Sequence, residues 1–194
     1  MAAKDLSLDT CCARHIPRGG RVLVSACLLG LHTRYAGDSK ECLHVVDFLH
    51  TRDLIPIPVC PEQLGGLPTP RAPSAFVYGD GQALLDQHAY LRDSNGLETT
   101  RAFLHGARQC LEIARLCRCK WAIFKERSPS CGVCQVYMRN DAGSGEQTLI
   151  SGQGVTTALL ERSGIRIISE AHIAAISHTG HEHAVGQAKQ SEDG

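Results

Sequence analysis

Apolar and polar positions alternate between two spacings along the chain. Arg21-Val-Leu-Val-Ser-Ala26 is a short apolar run after a glycine pair, which predicts a buried strand. Asp38-Ser-Lys-Glu41 has the form of a capping box ahead of Leu43, Val46, Leu49 and His50, which carry helical spacing. A second strand is predicted over Leu54 to Val59. Pro56 and Pro58 within it remove ladder donors, so it belongs at a sheet edge or bonds through alternate residues. Six of the eight prolines fall between Pro56 and Pro73, so 61–73 reads as a stiff loop. Ala75–Tyr78, Gly79-Asp-Gly81 and Gln82–Leu85 read as a small hairpin. Asn95-Gly-Leu-Glu98 reads as a second capping box, followed by a long amphipathic helix through Phe103, Leu104, Ala107, Leu111 and Ala114. Trp121–Lys125 is a third buried strand, and Gln135-Val-Tyr-Met also has strand character. Val155–Arg162 is a helix with Gly164 as its C′ residue, and Ile165–Ser169 is the last strand.

Strands that alternate with helices imply a mainly parallel sheet covered on both faces. The expected fold is a single three-layer, Rossmann-like α/β domain with a small hairpin insertion. No internal repeat or interdomain linker is visible. Residues 1–20 are expected to form a flexible arm, 21–172 the folded domain and 173–194 a polar tail with His178, His181 and His183.

Composition narrows the function. Lysine plus arginine and aspartate plus glutamate both number 20, so the formal net charge is zero. That balance argues against holding long nucleic acid by charge and against a polybasic membrane anchor. No apolar run approaches a transmembrane span, and the first residues lack the apolar centre of a secretory signal. A cytoplasmic location is therefore expected. The chain carries ten cysteines, and in a reducing compartment they are not a disulfide framework.

Position sorts those thiols. Cys27 and Cys60 each follow a predicted strand closely, and Cys131 lies in the loop after a third. The carboxyl ends of parallel strands share one edge, where open α/β sheets bind ligands, so these three thiols can converge there. Cys42 and Cys110 fall in helices and read as small hydrophobes. Cys117 and Cys119 precede the third strand. At about 3.3 Å of rise per residue they lie at its far end, which disfavours a zinc site shared with Cys131 and Cys134. Cys11 and Cys12 receive no role. Cys131 and Cys134 form a C-x-x-C pair, but a strand rather than a helix follows it, so thioredoxin-like chemistry is weakly supported.

Three thiolates suit soft-metal chemistry, whereas iron–sulfur clusters usually take four. A cluster with three protein thiolates leaves one iron open as a Lewis acid for a soft atom such as sulfur. The neighbouring residues suit a reaction. Glu62 is a candidate general acid or base. Ser128 and Ser130 could hydrogen-bond substrate or water, and Arg71 and Arg127 could fix an anionic or carbonyl group. Taken singly, Glu62 and the two serines read as caps of helices or turns, and their joint proximity to two candidate ligands favours the functional reading.

Four stretches together resemble the thiouracil desulfidase (TudS) family: Val24-Ser-Ala-Cys-Leu-Leu-Gly30, Pro58-Val-Cys-Pro-Glu-Gln-Leu-Gly-Gly-Leu-Pro-Thr-Pro-Arg71, Lys125-Glu-Arg-Ser-Pro-Ser-Cys-Gly132 and Gly152-Gln-Gly-Val-Thr156. The resemblance runs from the first strand to the last. It implies a 4Fe–4S cluster on Cys27, Cys60 and Cys131 with one iron not ligated by protein. It also implies hydrolytic removal of sulfur from a thiolated uracil, a thiouracil or thio-nucleotide, giving uracil or uridylate and sulfide. Glu62 and Ser128 would be the catalytic pair. Two features depart from the family pattern. Cys134 adds a thiol that would close the open iron if it bound there, and no second domain is expected after residue 170. Some relatives carry such a domain and act on transfer RNA, so its absence favours a small thiolated pyrimidine. The competing readings are a cluster-dependent sulfur-transfer protein, a non-catalytic metal-binding or redox-sensing module, and a zinc-stabilised structural domain.

Overall fold

The structure, a computed structural model, describes residues 13, 15–139 and 146–176. The expectations for the arm's first residues, for Cys11 and Cys12 and for the histidine-bearing tail lie outside the described residues. Four strands, β1 (Arg21–Ser25), β2 (Ile55–Val59), β5 (Trp121–Phe124) and β8 (Arg166–Ser169), form one sheet in the order β2-β1-β5-β8, with every pairing parallel. The proline-bearing β2 is an edge strand, the first of the two options its sequence left open. The Ile55 amide donates to the Gly20 carbonyl at 3.0 Å, while Pro56 sits opposite Val22 and Pro58 opposite Val24.

Alternation along these strands divides the core. Val22, Val24, Trp121, Ile123 and Ile168 meet Val45 and Leu49 of helix α1 (Leu43–Thr51), together with Ile16 and Ile173. On the opposite face, Leu23, Val59, Ala122, Phe124 and Ile167 meet Cys110, Leu111 and Ala114 of α4 (Thr100–Leu116) and Leu160 of α5 (Val155–Arg162). These are the three expected layers. Cys110 and Cys119 are buried in that second face, as small hydrophobes would be.

A second, mixed sheet extends the fold. Strands β3 (Ser74–Tyr78), β4 (Tyr90–Asp93), β6 (Gln135–Arg139) and β7 (Gln147–Ser151) run in the order β4-β3-β6-β7. Phe76, Leu91 and Val136 of this sheet pack on Phe103 and Ala107 of α4 and on Val155 of α5. Helix α4 thus buries two adjacent stripes, one toward each sheet.

The expected hairpin is corrected in its second arm. Residues Gly81–Leu85 form a helix, α3, and β3 pairs antiparallel with Tyr90–Asp93 instead. Asp80 is the cause: its Oδ1 accepts from the Ala83 amide at 3.1 Å, an N-cap that a turn reading overlooks. Neither expected capping box forms. The Lys40 and Cys42 amides donate to the carbonyls of Cys27 and Leu28, so 38–42 is spent tying a loop to the turn after β1, and α1 starts without a side-chain cap. In 93–97 the Asp93 carboxylate accepts from the Asn95 and Leu97 amides, both at 2.9 Å, making a turn. The stiff proline loop also contains a one-turn helix, α2 (Pro61–Leu64), entered through Pro61.

Candidate functional site

The strand order places a crevice at the carboxyl edge beside β1 and β5, where chain connections depart in opposite directions. A cavity of about 430 Å³ opens there, within the usual range for small ligands. Cys27, Cys60 and Cys131 all line it. Cys27 follows β1 in a 3₁₀ turn (Ala26–Leu29), Cys60 is the residue preceding α2, and Cys131 ends the loop after β5. Cys134 does not line the cavity and packs at the edge of the core between β1 and α4. Cys117 and Cys119 precede β5 at its other end.

The three thiols sense one another electrostatically. Burial pushes the Cys27 thiol up to about 11, the nearby Cys60 adds to the rise, and Lys125 and Arg34 oppose it. Burial likewise pushes Cys131 well above the ordinary thiol value, with a hydrogen bond to Ser25 opposing and Cys27 and Cys60 adding. Burial thus favours the protonated thiol at both positions, and thiolate ligation of a metal would release those protons. Among the described residues no three His, Cys, Asp or Glu side chains close around a single ion. A polynuclear cluster sets a different requirement, since each thiolate binds its own iron. Three reduced, mutually interacting thiols around one cavity fit such a group.

Glu62 and Arg71 form the second feature. Arg71 Nε donates to Glu62 Oε2 at 2.6 Å, with the side chains 5% and 15% exposed respectively. Other guanidinium donors also face protein, since Nη1 donates to the Pro68 carbonyl and Thr69 Oγ1 and Nη2 to the Thr33 carbonyl, while the side chain lines the cavity. Cys60 Sγ lies 3.5 Å from the same Thr33 oxygen. One arginine thereby joins the proline loop, the loop after β1 and the carboxylate beside Cys60. Expected as a substrate contact, Arg71 faces protein groups through Nε and both Nη atoms.

Ser128 lines the cavity, and its Oγ accepts from the amides of Ser130 and Cys131 at 3.2 and 3.1 Å. Both acceptor directions are used, which leaves its O–H as the remaining hydrogen-bonding group. Arg127 lies exposed at the rim. Ser130 is brought near in sequence only: it is 1% exposed, its Oγ has no partner, and it does not line the cavity.

Several lining residues escaped the sequence reading. Arg34, Tyr35 and Lys40 come from the loop tied to the turn after β1, Ser74, Tyr137 and Gln147 come from the second sheet, and Pro73 from the chain leading into it. No local motif marks them, because they reach the cavity through sheet packing. Two glycines matter for the same reason. A Cβ on Gly106 of α4 would lie 1.8 Å from the Pro61 carbonyl oxygen, and one on Gly154 would lie 2.4 Å from that of Ser130. Glycine in a helix interior costs about 1 kcal/mol relative to alanine. The signal available in the sequence was Gly106 inside a strongly periodic helix.

Comparison with known proteins is consistent with this geometry. The 2-thiouracil desulfurase family model matches residues 22–172. The YbbK protein of Bacillus subtilis strain 168, described as uncharacterized, is 38% identical over 152 residues, covering 77% of this chain and 95% of YbbK. Among solved structures, the [4Fe-4S]-dependent thiouracil desulfidase TudS superposes with a TM-score of 0.66 at 34% identity. The match covers 82% of this chain and 97% of that one.

Proposed function

The chain belongs to the 2-thiouracil desulfurase family, and from that premise we propose that it is a cluster-dependent desulfidase converting a thiolated uracil and water to the oxo-pyrimidine and sulfide. The observation that carries the reading is the lining of one cavity by Cys27, Cys60, Cys131, Glu62 and Ser128. The three thiols would hold a 4Fe–4S cluster. Such a cluster, with one iron not ligated by protein, supplies a thiophilic Lewis-acid position for the thiocarbonyl sulfur.

The chain's own residues account for the remaining chemistry. Arg71 anchors Oε2 of Glu62, which leaves Oε1 to take a proton from water. The water oxygen bonds to the ring carbon, the carbon–sulfur bond breaks, and sulfur leaves as sulfide. No electron is needed from outside. Ser128 donates its hydroxyl proton as a hydrogen bond to the water or the ring oxygen. Walls from Tyr35, Pro73 and Tyr137 limit water at the ring.

The proposed reaction needs a reducing compartment such as the cytoplasm, where thiol ligands persist. Among the described residues no helix is long and apolar enough to cross a membrane.

The test is anaerobic reconstitution with iron and sulfide, then assay of 2-thiouracil, 4-thiouracil and their nucleotides for uracil-type product and sulfide. Equal release of both without an added acceptor is expected. Iron-loaded protein that turns over none of these sinks the reading, and sulfide appearing only with an acceptor replaces it with sulfur transfer.

A further inference from the structure

The loop that carries Cys131 is closed by a carboxylate. Glu126 lines the cavity, and its side chain turns back along the loop. It accepts from the Val133 amide at 3.1 and 3.2 Å and from the Cys134 amide at 2.5 and 3.3 Å. Its own amide donates to Glu170 Oε2 at 2.7 Å, and Glu170 also receives the Lys125 ammonium. Arg127 takes a positive φ of 61°, which turns the chain immediately after the carboxylate. The Gly132 amide donates to the Ser128 carbonyl at 2.8 Å, closing the inner turn.

The loop therefore reverses from 126 to 134 around one charged acceptor. Charge-assisted bonds of this kind are the stronger class. The closure has a consequence for the thiols. Cys131 is left inside the cavity, while Cys134 is tethered at both backbone groups, through its amide to Glu126 and through its carbonyl to the Gly152 amide at 2.9 Å. Its sulfur lies against the core rather than in the cavity.

We propose that Glu126 is a positioning residue that selects Cys131 over Cys134, holding the site to three thiols. This rests on the functional reading above for its importance to turnover. Its effect on iron binding and loop closure stands apart from that reading. Glu126 acts through backbone amides and need not touch substrate. A glutamine there keeps the size but presents one acceptor oxygen, and its amino group would face a backbone donor.

The test compares wild type, Glu126→Gln, Glu126→Ala, Cys134→Ala and the Glu126→Ala/Cys134→Ala double variant. Circular dichroism and thermal melting confirm folding of each. Amide exchange on the metal-free chain should show Val133 and Cys134 losing protection in the order Gln, then Ala. Loss of an outer ligand-orienting contact typically costs about 10–100-fold in metal affinity or activity, so iron affinity or kcat should fall by that factor in Glu126→Ala, with KM nearly unchanged. Removing Cys134 in that background should restore part of the loss. Cys134→Ala alone should keep wild-type iron content.

Wild-type exchange and iron binding in both Glu126 variants overturn the proposal. So does faster exchange with unchanged iron binding and kcat, which would make the clamp purely structural. Iron loss in Cys134→Ala alone also overturns it, by making that thiol a ligand. If the wild-type protein loads iron but turns over no thiolated pyrimidine, the reaction assignment fails while the exchange and iron comparisons still decide the role of Glu126.

Discussion

The two sheets meet the same cavity in different ways. The parallel sheet reaches it with its carboxyl edge, so short loops after β1, β2 and β5 deliver Cys27, Cys60, Glu62, Ser128 and Cys131. The mixed sheet reaches it with a face and its flanking chain, contributing Pro73, Ser74, Tyr137 and Gln147. Tyr137 sits opposite Leu149, and Gln147 sits opposite Arg139, two residues along from Tyr137. Tyr137 and Gln147 therefore lie on one face of the β6–β7 pair. An edge concentrates reactive groups because several strands end at one level. A face supplies a wall of regularly spaced side chains. Under the proposed function, chemistry falls to the first sheet and substrate shape to the second.

Five experiments separate those roles, beginning with the largest effect. Cys27→Ala, Cys60→Ala or Cys131→Ala should each abolish stable cluster binding and all turnover, read as loss of bound iron and of visible absorption after anaerobic reconstitution. Retained iron in any of the three would remove that thiol from the ligand set.

Glu62→Ala should keep the brown cluster and lower kcat by about 10²–10⁴-fold, the usual worth of a positioned proton-transfer group. Arg71→Met should move activity the same way by less, because the carboxylate remains but loses its orienting bond. Normal steady-state turnover in Glu62→Ala would exclude it as the base.

Gly106→Ala tests the packing that links the sheets to the site. The added methyl meets the Pro61 carbonyl, at the start of the helix carrying Glu62. Overpacking of this kind costs about 1–3 kcal/mol, so denaturant melting should show that loss along with reduced turnover. An unchanged midpoint would mean that α2 yields freely.

On the second sheet, Tyr137→Ala and Gln147→Ala should raise KM by about tenfold, equivalent to about 1.4 kcal/mol of binding, with kcat largely kept. A fall in kcat at constant KM would move chemistry into this sheet and break the division.

The smallest effect is confined to alkaline pH. Burial, with help from Cys117 and against Arg21, pushes the Cys119 thiol up to about 11 from an ordinary value of 9.0. A raised folded value means that the folded chain holds the proton more tightly than the unfolded chain. The associated stability is whole below pH 9 and is lost as pH rises toward 11. Cys119→Ala should flatten that part of the stability profile in metal-free protein. An identical slope in the variant would place the alkaline loss elsewhere.

Much of this was readable before any coordinates. The four parallel strands, the two options for the proline-bearing β2, the long amphipathic helix and the sorting of Cys27, Cys60 and Cys131 from Cys117 and Cys119 all follow from local runs, spacings and prolines. The capping boxes misled because short side chains serve several hydrogen-bond motifs. Asp93 made a turn where a cap was expected, and Asp80 made a cap where a turn was expected. Strand β7, alternating weakly and largely exposed, lacked the apolar signal that marks buried strands.

By itself the sequence determined the parallel α/β framework and which thiols fall at the carboxyl edge of its strands, since periodicity and strand polarity are local properties of the chain. Tertiary structure alone decided the rest: a second sheet against α4, Arg71 turned onto Glu62, and Cys134 kept out of the cavity by Glu126. Those outcomes depend on groups distant in sequence or on the path of a closed loop. Burial makes each polar group find a partner, and only the packed fold specifies which partner lies within reach.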